Sequence, residues 1–352
     1  MSKQERKIEN NKMNFIKCEV FVYMYYFCRY SILEFMYKDI TFLLNPSEIT
    51  AGTRGASLGP FALITAARKN RSTLFGQSPL VCMEDCNSLL DKESTFRYAK
   101  NIDGLLTVFK GLDKHISEIY KSNNFPFLLS GDHGSAGGTI AAIRHAFPDK
   151  KLGVVWIDAH GDIHSPYTTP SGNMHGMPLS TSLNEDNLPC KVNDISVEEK
   201  LLWEELKNLH GIVPKILPED LVFVSVRDTE AQEDAIIERL GIKNFAVAEV
   251  RAKSTNVIVD EILQKLTHCD LIYISFDVDS MDPVVTSHGT GTPVNDGLFP
   301  DEADAIMQGL LQSKKVCCVE FVEINPCLDE KKNEMAEVAF GLVEKLVATI
   351  TK

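Results

Sequence analysis

From residue 37 onward the chain alternates short apolar runs, rich in Val, Ile and Phe, with longer stretches of helical period. Apolar runs of strand length set between helical stretches are how a parallel sheet covered by helices reads. Strands are predicted at 39–44 (DITFLL), 125–130 (FPFLLS), 151–157 (KLGVVWI), 220–226 (DLVFVSV), 271–276 (LIYISF) and 315–324 (KVCCVEFVEI). Helices are predicted over 102–122, 137–146, 197–209, 230–240, 254–267, 300–312 and 334–351, and 184–220 reads as an inserted loop and helix. No repeat, low-complexity block or Pro/Gly/Ser linker divides this part. One α/β domain over 36–352 is therefore expected, with a central, mainly parallel sheet flanked by helices in three layers.

Residues 1–35 stand apart as an expected N-terminal extension outside that core. Their aromatic run is interrupted by Lys17, Glu19, Arg29 and Glu34, and its longest uncharged stretch, 20–28, is far short of the roughly 20 residues of a spanning helix. No small-residue cleavage site follows it, and Met36 is an alternative start. No membrane partner is expected. Lys and Arg number 36 against 49 Asp and Glu, and a net charge of −13 repels phosphate backbones, so no nucleic-acid partner is expected either. The nine cysteines are odd in number and lack framework spacing, which fits a reducing, cytoplasmic setting; Cys82 and Cys86 read as free thiols.

Ligands of open parallel sheets bind beyond the carboxyl ends of the strands, so the residues following each apolar run carry the functional signal. FPFLLS runs into Gly131, Asp132 and His133; VVWI into Asp158, Ala159, His160, Gly161 and Asp162; VFVSV into Arg227 and Asp228; IYISF into Asp277, Val278 and Asp279. Arg227 and Asp228 alone read as an ordinary ion pair. In D-A-H-G-D an extended backbone directs Asp158, His160 and Asp162 to one side, and the same alternation aligns Asp277 with Asp279. Gathering these groups away from water is costly unless cations compensate them. Two divalent ions would balance the four carboxylates, with His133 and His160 as nitrogen ligands; the alternative is a hydrated acidic cleft. An oxygen-rich set with two imidazoles and no cysteine favours Mn²⁺, with Co²⁺, Ni²⁺, Fe²⁺ or Zn²⁺ as substitutes. Paired metals acidify a shared water, so the expected reaction class is metal-assisted hydrolysis.

SGDHG, DAHGDIHSPYTTPSGNMHG, SFDVDSMDP, GTGTPV and EINP, in that order, resemble the ureohydrolase family, and its arginase branch most closely. The resemblance spans most of the chain from about residue 45. It implies an arginase/deacetylase-like α/β fold, two Mn²⁺ per chain, and hydrolysis of a guanidino carbon to urea and an amine by a metal-bridging hydroxide. The ligands it implies are His133, Asp158, His160, Asp162, Asp277 and Asp279, with Asp158 and Asp277 as bridges and Asp162 also in the catalytic set. It further implies that Glu323 holds the guanidinium and that His175 passes a proton to the departing amine. Thr292 is placed near the guanidinium, and Asp132 is expected to orient a metal ligand. A small-molecule guanidino substrate and a homo-oligomer, trimer or hexamer, follow from the same resemblance.

Discrimination between arginine and related guanidino compounds rests on the groups that meet the α-carboxylate and α-amine. Thr169, Ser171 and Asn173 stand where arginases place donors for the carboxylate. Asp228, Glu230 and Glu233 fall in and after an RDTE segment that resembles the arginase RDVD. Three positions depart from the pattern: His164 replaces an asparagine, Gly161 replaces a threonine, and His288 and Gly289 lie in a loop one residue longer than usual. His164 keeps a donor for the carboxylate. L-Arginine, cleaved to L-ornithine and urea, is the first expectation; agmatine, guanidinobutyrate and formiminoglutamate are the alternatives.

Overall fold

Consecutive side chains of a strand point to opposite faces, and in this chain both faces are apolar. In the strand Leu152–Ile157, Val155 and Ile157 enter one buried cluster while Val154 and Trp156 enter the other. Each cluster is closed by a layer of helices, which gives three layers. The computed structural model describes residues 37–351, and the expected extension over 1–35 lies outside them. Eight strands form one sheet: β1 (Asp39–Asn45), β2 (Leu80–Cys82), β3 (Asn124–Ser130), β4 (Leu152–Ile157), β5 (Leu221–Val224), β6 (Lys243–Phe245), β7 (Leu271–Asp277) and β8 (Val316–Val322). All pair in parallel, in the order β2-β1-β3-β8-β7-β4-β5-β6.

The six predicted strands are present, and two stop short for a backbone reason. β5 ends at Val224 because Ser225 has φ 76°, and β8 ends at Val322 because Glu323 has φ 64°; neither value continues a strand. β2 and β6 escaped the sequence reading because each has only three residues and lies at a sheet edge, too short to mark a strand. The seven predicted helices are also present, and four shorter or unmarked ones add to them: Gly59–Lys69, Leu74–Gln77, Pro178–Leu183 and Val247–Lys253. Local chemistry sets their ends. Ser196 caps Val197–Lys207 through a reciprocal pair, in which Ser196 Oγ accepts from Glu199 N–H and Glu199 Oε2 accepts from Ser196 N–H. The glycines before and within Ala136–Ala146 serve close packing, since a Cβ on Gly138 would lie 2.6 Å from the Phe109 ring.

Register brings the functional strand ends level. Ile157 lies opposite both Val224 and Phe276, Asp277 opposite Val322, and Leu129 opposite Phe321. The residues that follow β3, β4, β7 and β8 therefore share one edge of the sheet. No helix among the described residues is long and apolar enough to cross a membrane.

Candidate metal centre and substrate cavity

Asp158, the first residue past β4, is fully buried. Its Oδ2 accepts from Trp156 Nε1 at 2.9 Å and its Oδ1 from His160 N–H at 2.7 Å. Asp277 closes β7, and its Oδ1 accepts from Asp279 N–H at 2.8 Å, while Asp279 Oδ1 accepts from Ala159 N–H at 3.2 Å. His133 follows β3 in a short 3₁₀ turn. Its ring stacks on Trp156 at 4.0 Å, Nε2 meets Ser275 Oγ at 2.8 Å, and its N–H donates to Glu323 Oε1 at 2.8 Å. Each of these carboxylates is thus aimed by a backbone N–H, and Asp158 by the Trp156 indole as well.

Two groups of ligand-type atoms result, His133–Asp158–Asp162 and Asp158–His160–Asp279, with Asp158 common to both. His133 Nδ1 lies 3.0 Å from Asp158, 3.0 Å from Asp162 and 3.3 Å from Asp277. His160 Nδ1 lies 3.0 Å from Asp279 and 3.5 Å from Asp158. The expected gathering occurs, but not by strand alternation. Asp162 reaches the cluster because its φ is 48°, in the left-handed region, and Asp279 because Val278–Ser280 turns as a 3₁₀ helix.

The fit to cations rests on one atom. His133 Nδ1 is buried and makes no hydrogen bond despite its three carboxylate neighbours. A proton on Nδ1 would offset one charge of four, whereas dications neutralise all four and give this lone pair a partner. The titration behaviour agrees in direction. Burial, together with Asp279 and Asp158, raises the Asp277 carboxyl, and burial with Asp158 raises Asp162 to about 6. Burial opposes charge on His133, but Asp158, Asp162 and Asp277 outweigh it and raise the imidazole. A metal takes only the deprotonated forms of these groups, so its binding would release the protons they hold.

Above this floor opens a cavity of about 270 Å³. Its lining includes every sequence-predicted site residue except Asp158 and Asp132. Glu323 lies at its base with φ 64°, and His175 Nδ1 is 3.6 Å from Glu323 Oε1. Burial opposes charge on His175, but Glu323 outweighs it and raises the imidazole. Thr292 Oγ donates to Asp279 Oδ2 at 3.2 Å. Thr169, Ser171 and Asn173 form one wall; Thr169 Oγ accepts from Gly172 N–H and Ser171 Oγ from Asn173 N–H. Asp228 faces His160 Nε2 at 3.8 Å, so it addresses a ligand-type histidine as well as the cavity.

Several expectations change. Arg227 does not pair with Asp228; its guanidinium donates to the carbonyls of Ser225, Asp279, Ser280, Val294 and Asn295 and holds down the segment that carries Thr292. Asp132 accepts from Thr50 N–H and Ser47 Oγ, while the His133 ring is met by Ser275 instead. His164 is buried with both nitrogens engaged, Nδ1 with Thr168 Oγ and Nε2 with Glu230 Oε2, each at 3.0 Å. Burial lowers its pKa against the pull of Glu230. Glu233 is buried as well and accepts from Glu230 N–H and Ile163 N–H at the start of Ala231–Leu240. Burial and the nearby Glu230 and Asp162 raise its carboxyl.

Sequence reasoning missed Trp156, Ser275, Thr168 and Lys100, whose Nζ donates to Asn173 Oδ1 at 3.1 Å. Ser275 had a signal, as the polar residue inside the apolar run LIYISF. Lys100 had none, because it lies 73 positions from its partner.

The Arginase family model matches residues 38–348. An arginase of Bacillus subtilis (strain 168) is 32% identical over 315 residues, covering 89% of this chain and 98% of the relative. The crystal structure of an Entamoeba histolytica arginase in complex with L-ornithine superposes with a TM-score of 0.73 at 26% identity, over 88% of this chain and 99% of that one. A hypothetical agmatinase from Burkholderia thailandensis is more distant, with a TM-score of 0.63 at 22% identity over 89% and 85%, and shares the fold alone.

Proposed function

The chain belongs to the arginase family and is an arginase-type hydrolase, and from that premise we propose that it hydrolyses L-arginine to L-ornithine and urea with two Mn²⁺ ions. His133, Asp158, His160, Asp162, Asp277 and Asp279 would hold the ions, and the observation that carries this reading is the unpartnered buried Nδ1 of His133 among three carboxylates. When bound, the ions supply a water acidic enough to attack near neutral pH.

The protein's own groups do the rest. Glu323, fixed on one oxygen by the His133 amide, faces the cavity and pairs with the planar guanidinium. His175, whose imidazole Glu323 raises against the effect of burial, gives its proton to the departing amine. Thr292 steadies Asp279 and lies beside the guanidinium. At the cavity wall, Thr169, Ser171 and Asn173 present hydroxyl and amide groups to the α-carboxylate, and the Lys100 ammonium behind Asn173 adds a positive charge there. Glu230, with Asp228, faces the α-amine. His164 and Glu233 hold Glu230 in place. The bound L-ornithine of the Entamoeba histolytica relative supports an amino acid over a decarboxylated substrate. The homo-oligomer implied by the resemblance belongs to the same proposal.

Agmatine, guanidinobutyrate and formiminoglutamate form the competing reading. After Mn²⁺ loading, urea release from L-arginine is expected to exceed that from agmatine by about 10²-fold or more in kcat/KM, because a site built for a polar group rejects a ligand lacking it. Faster urea release from agmatine or guanidinobutyrate, or none from arginine, overturns the assignment.

A further inference from the structure

At the opposite end of the sheet, where β5 and β7 begin, Asp220, His268 and Cys269 converge. Asp220 and Cys269 are buried, and His268 is about one-third exposed, with a side-chain accessibility of 36%. Cys269 Sγ lies 3.5 Å from His268 Nε2 and 3.6 Å from Asp220 Oδ1, and His268 Nε2 lies 2.8 Å from Asp220 Oδ1. A tetrahedral zinc ion, with Zn–S of about 2.3 Å and Zn–N and Zn–O of about 2.0–2.1 Å, sets S···N and S···O edges of about 3.5 Å and an N···O edge of about 3.3 Å. Two edges match. The third is shorter by about 0.5 Å because it has the length of a hydrogen bond, which metal ligation would replace.

We propose that Asp220, His268 and Cys269 form a three-ligand site for a borderline-soft dication such as Zn²⁺, separate from the cavity and open to solvent on the His268 side. The ligand set suits such an ion, since thiolate and carboxylate together cancel its charge and imidazole completes a tetrahedral face. Binding breaks the Cys269 S–H bond, forms a metal–sulfur bond and releases the proton to solvent. The fold holds the ligands in place. Leu217 N–H fixes the other oxygen of Asp220 at 2.8 Å, and Gly153 of β4, which lies between β5 and β7, leaves room for the sulfur, because a Cβ there would come within 3.2 Å of it. Lys315 Nζ donates to the carbonyls of Cys269 and Thr267, which fixes the turn bearing both ligands. Asp113, His145 and His210 also cluster, but their two imidazoles stack at 3.9 Å and 7°, so the ring planes run parallel and their lone pairs do not meet at one ion.

The test uses the full chain preloaded with Mn²⁺ and titrated with Co²⁺, read by the near-ultraviolet sulfur-to-cobalt charge-transfer band. The described residues of the catalytic cluster include no sulfur ligand, so the band does not arise there, and Cys269→Ser separates the distal site from the other thiols of the chain. One equivalent of Co²⁺ should develop the band, Zn²⁺ should bleach it, and Cys269→Ser should abolish it. His268→Ala, at a partly exposed position, should weaken Co²⁺ binding without loss of urea production. Absence of the band in the native protein, or equal intensity in Cys269→Ser, overturns the proposal.

Discussion

The floor and the rim of the cavity are built by opposite means. On the floor, Asp158, Asp277 and Asp279 are buried at strand ends and each is fixed by a backbone N–H. On the rim, the side chains of Asp228 and Glu230 are 67% and 53% exposed and sit on connecting segments. The floor combines rigid aim with mutual repulsion, which suits binding of ions; the rim combines solvent with adjustable contacts, which suits choice among substrates. Chemistry and selectivity should therefore be separable by mutation.

The largest effect is expected on the floor. Asp158→Asn or Asp277→Ala should lower kcat/KM by about 10³-fold or more, as losing preorganised charge does, and metal content measured on the purified variant should fall with it. A variant that kept both metal and turnover would break the distinction between the two regions. At the junction, His175→Asn should lower kcat by about 10²-fold, the lower range for loss of a general acid, and should also change the pH profile. Because Glu323 raises the His175 pKa, the protonated acid is fully present below the ordinary histidine range and is lost as pH rises through the raised value. The native kcat should therefore decline on that alkaline limb, and His175→Asn should remove the limb; a limb that persists assigns it to another group. The smallest effect belongs to the rim. Glu230→Gln and His164→Asn should each raise KM for arginine by about 10-fold with kcat little changed, and the double variant should match the singles, because His164 acts through Glu230. Additive losses in that cycle would show His164 touching substrate directly.

The strand ends were legible because a parallel sheet delivers the residue after each apolar run to one edge, so His133, Asp158 and Asp277 could be placed from spacing alone. The turn that brings Asp162 in was not, because a left-handed φ at an aspartate leaves no mark in residue type. The same holds for Glu323, whose φ of 64° ends β8 and tips its carboxylate toward the cavity. Edge strands β2 and β6 were too short to be read, with three residues each, and partners such as Lys100 for Asn173 or Arg227 for the 279–295 carbonyls depend on contacts distant along the chain. His164 shows the reverse failure. It lines the cavity, but both ring nitrogens are engaged by protein partners that sequence spacing does not reveal.

Arg227 stitches the bank that carries Thr292 to main-chain oxygens on both sides of it. That bank gives the cavity mouth one edge tied to the main chain, while Pro170, Ser171 and Glu230 stand in solvent along its rim.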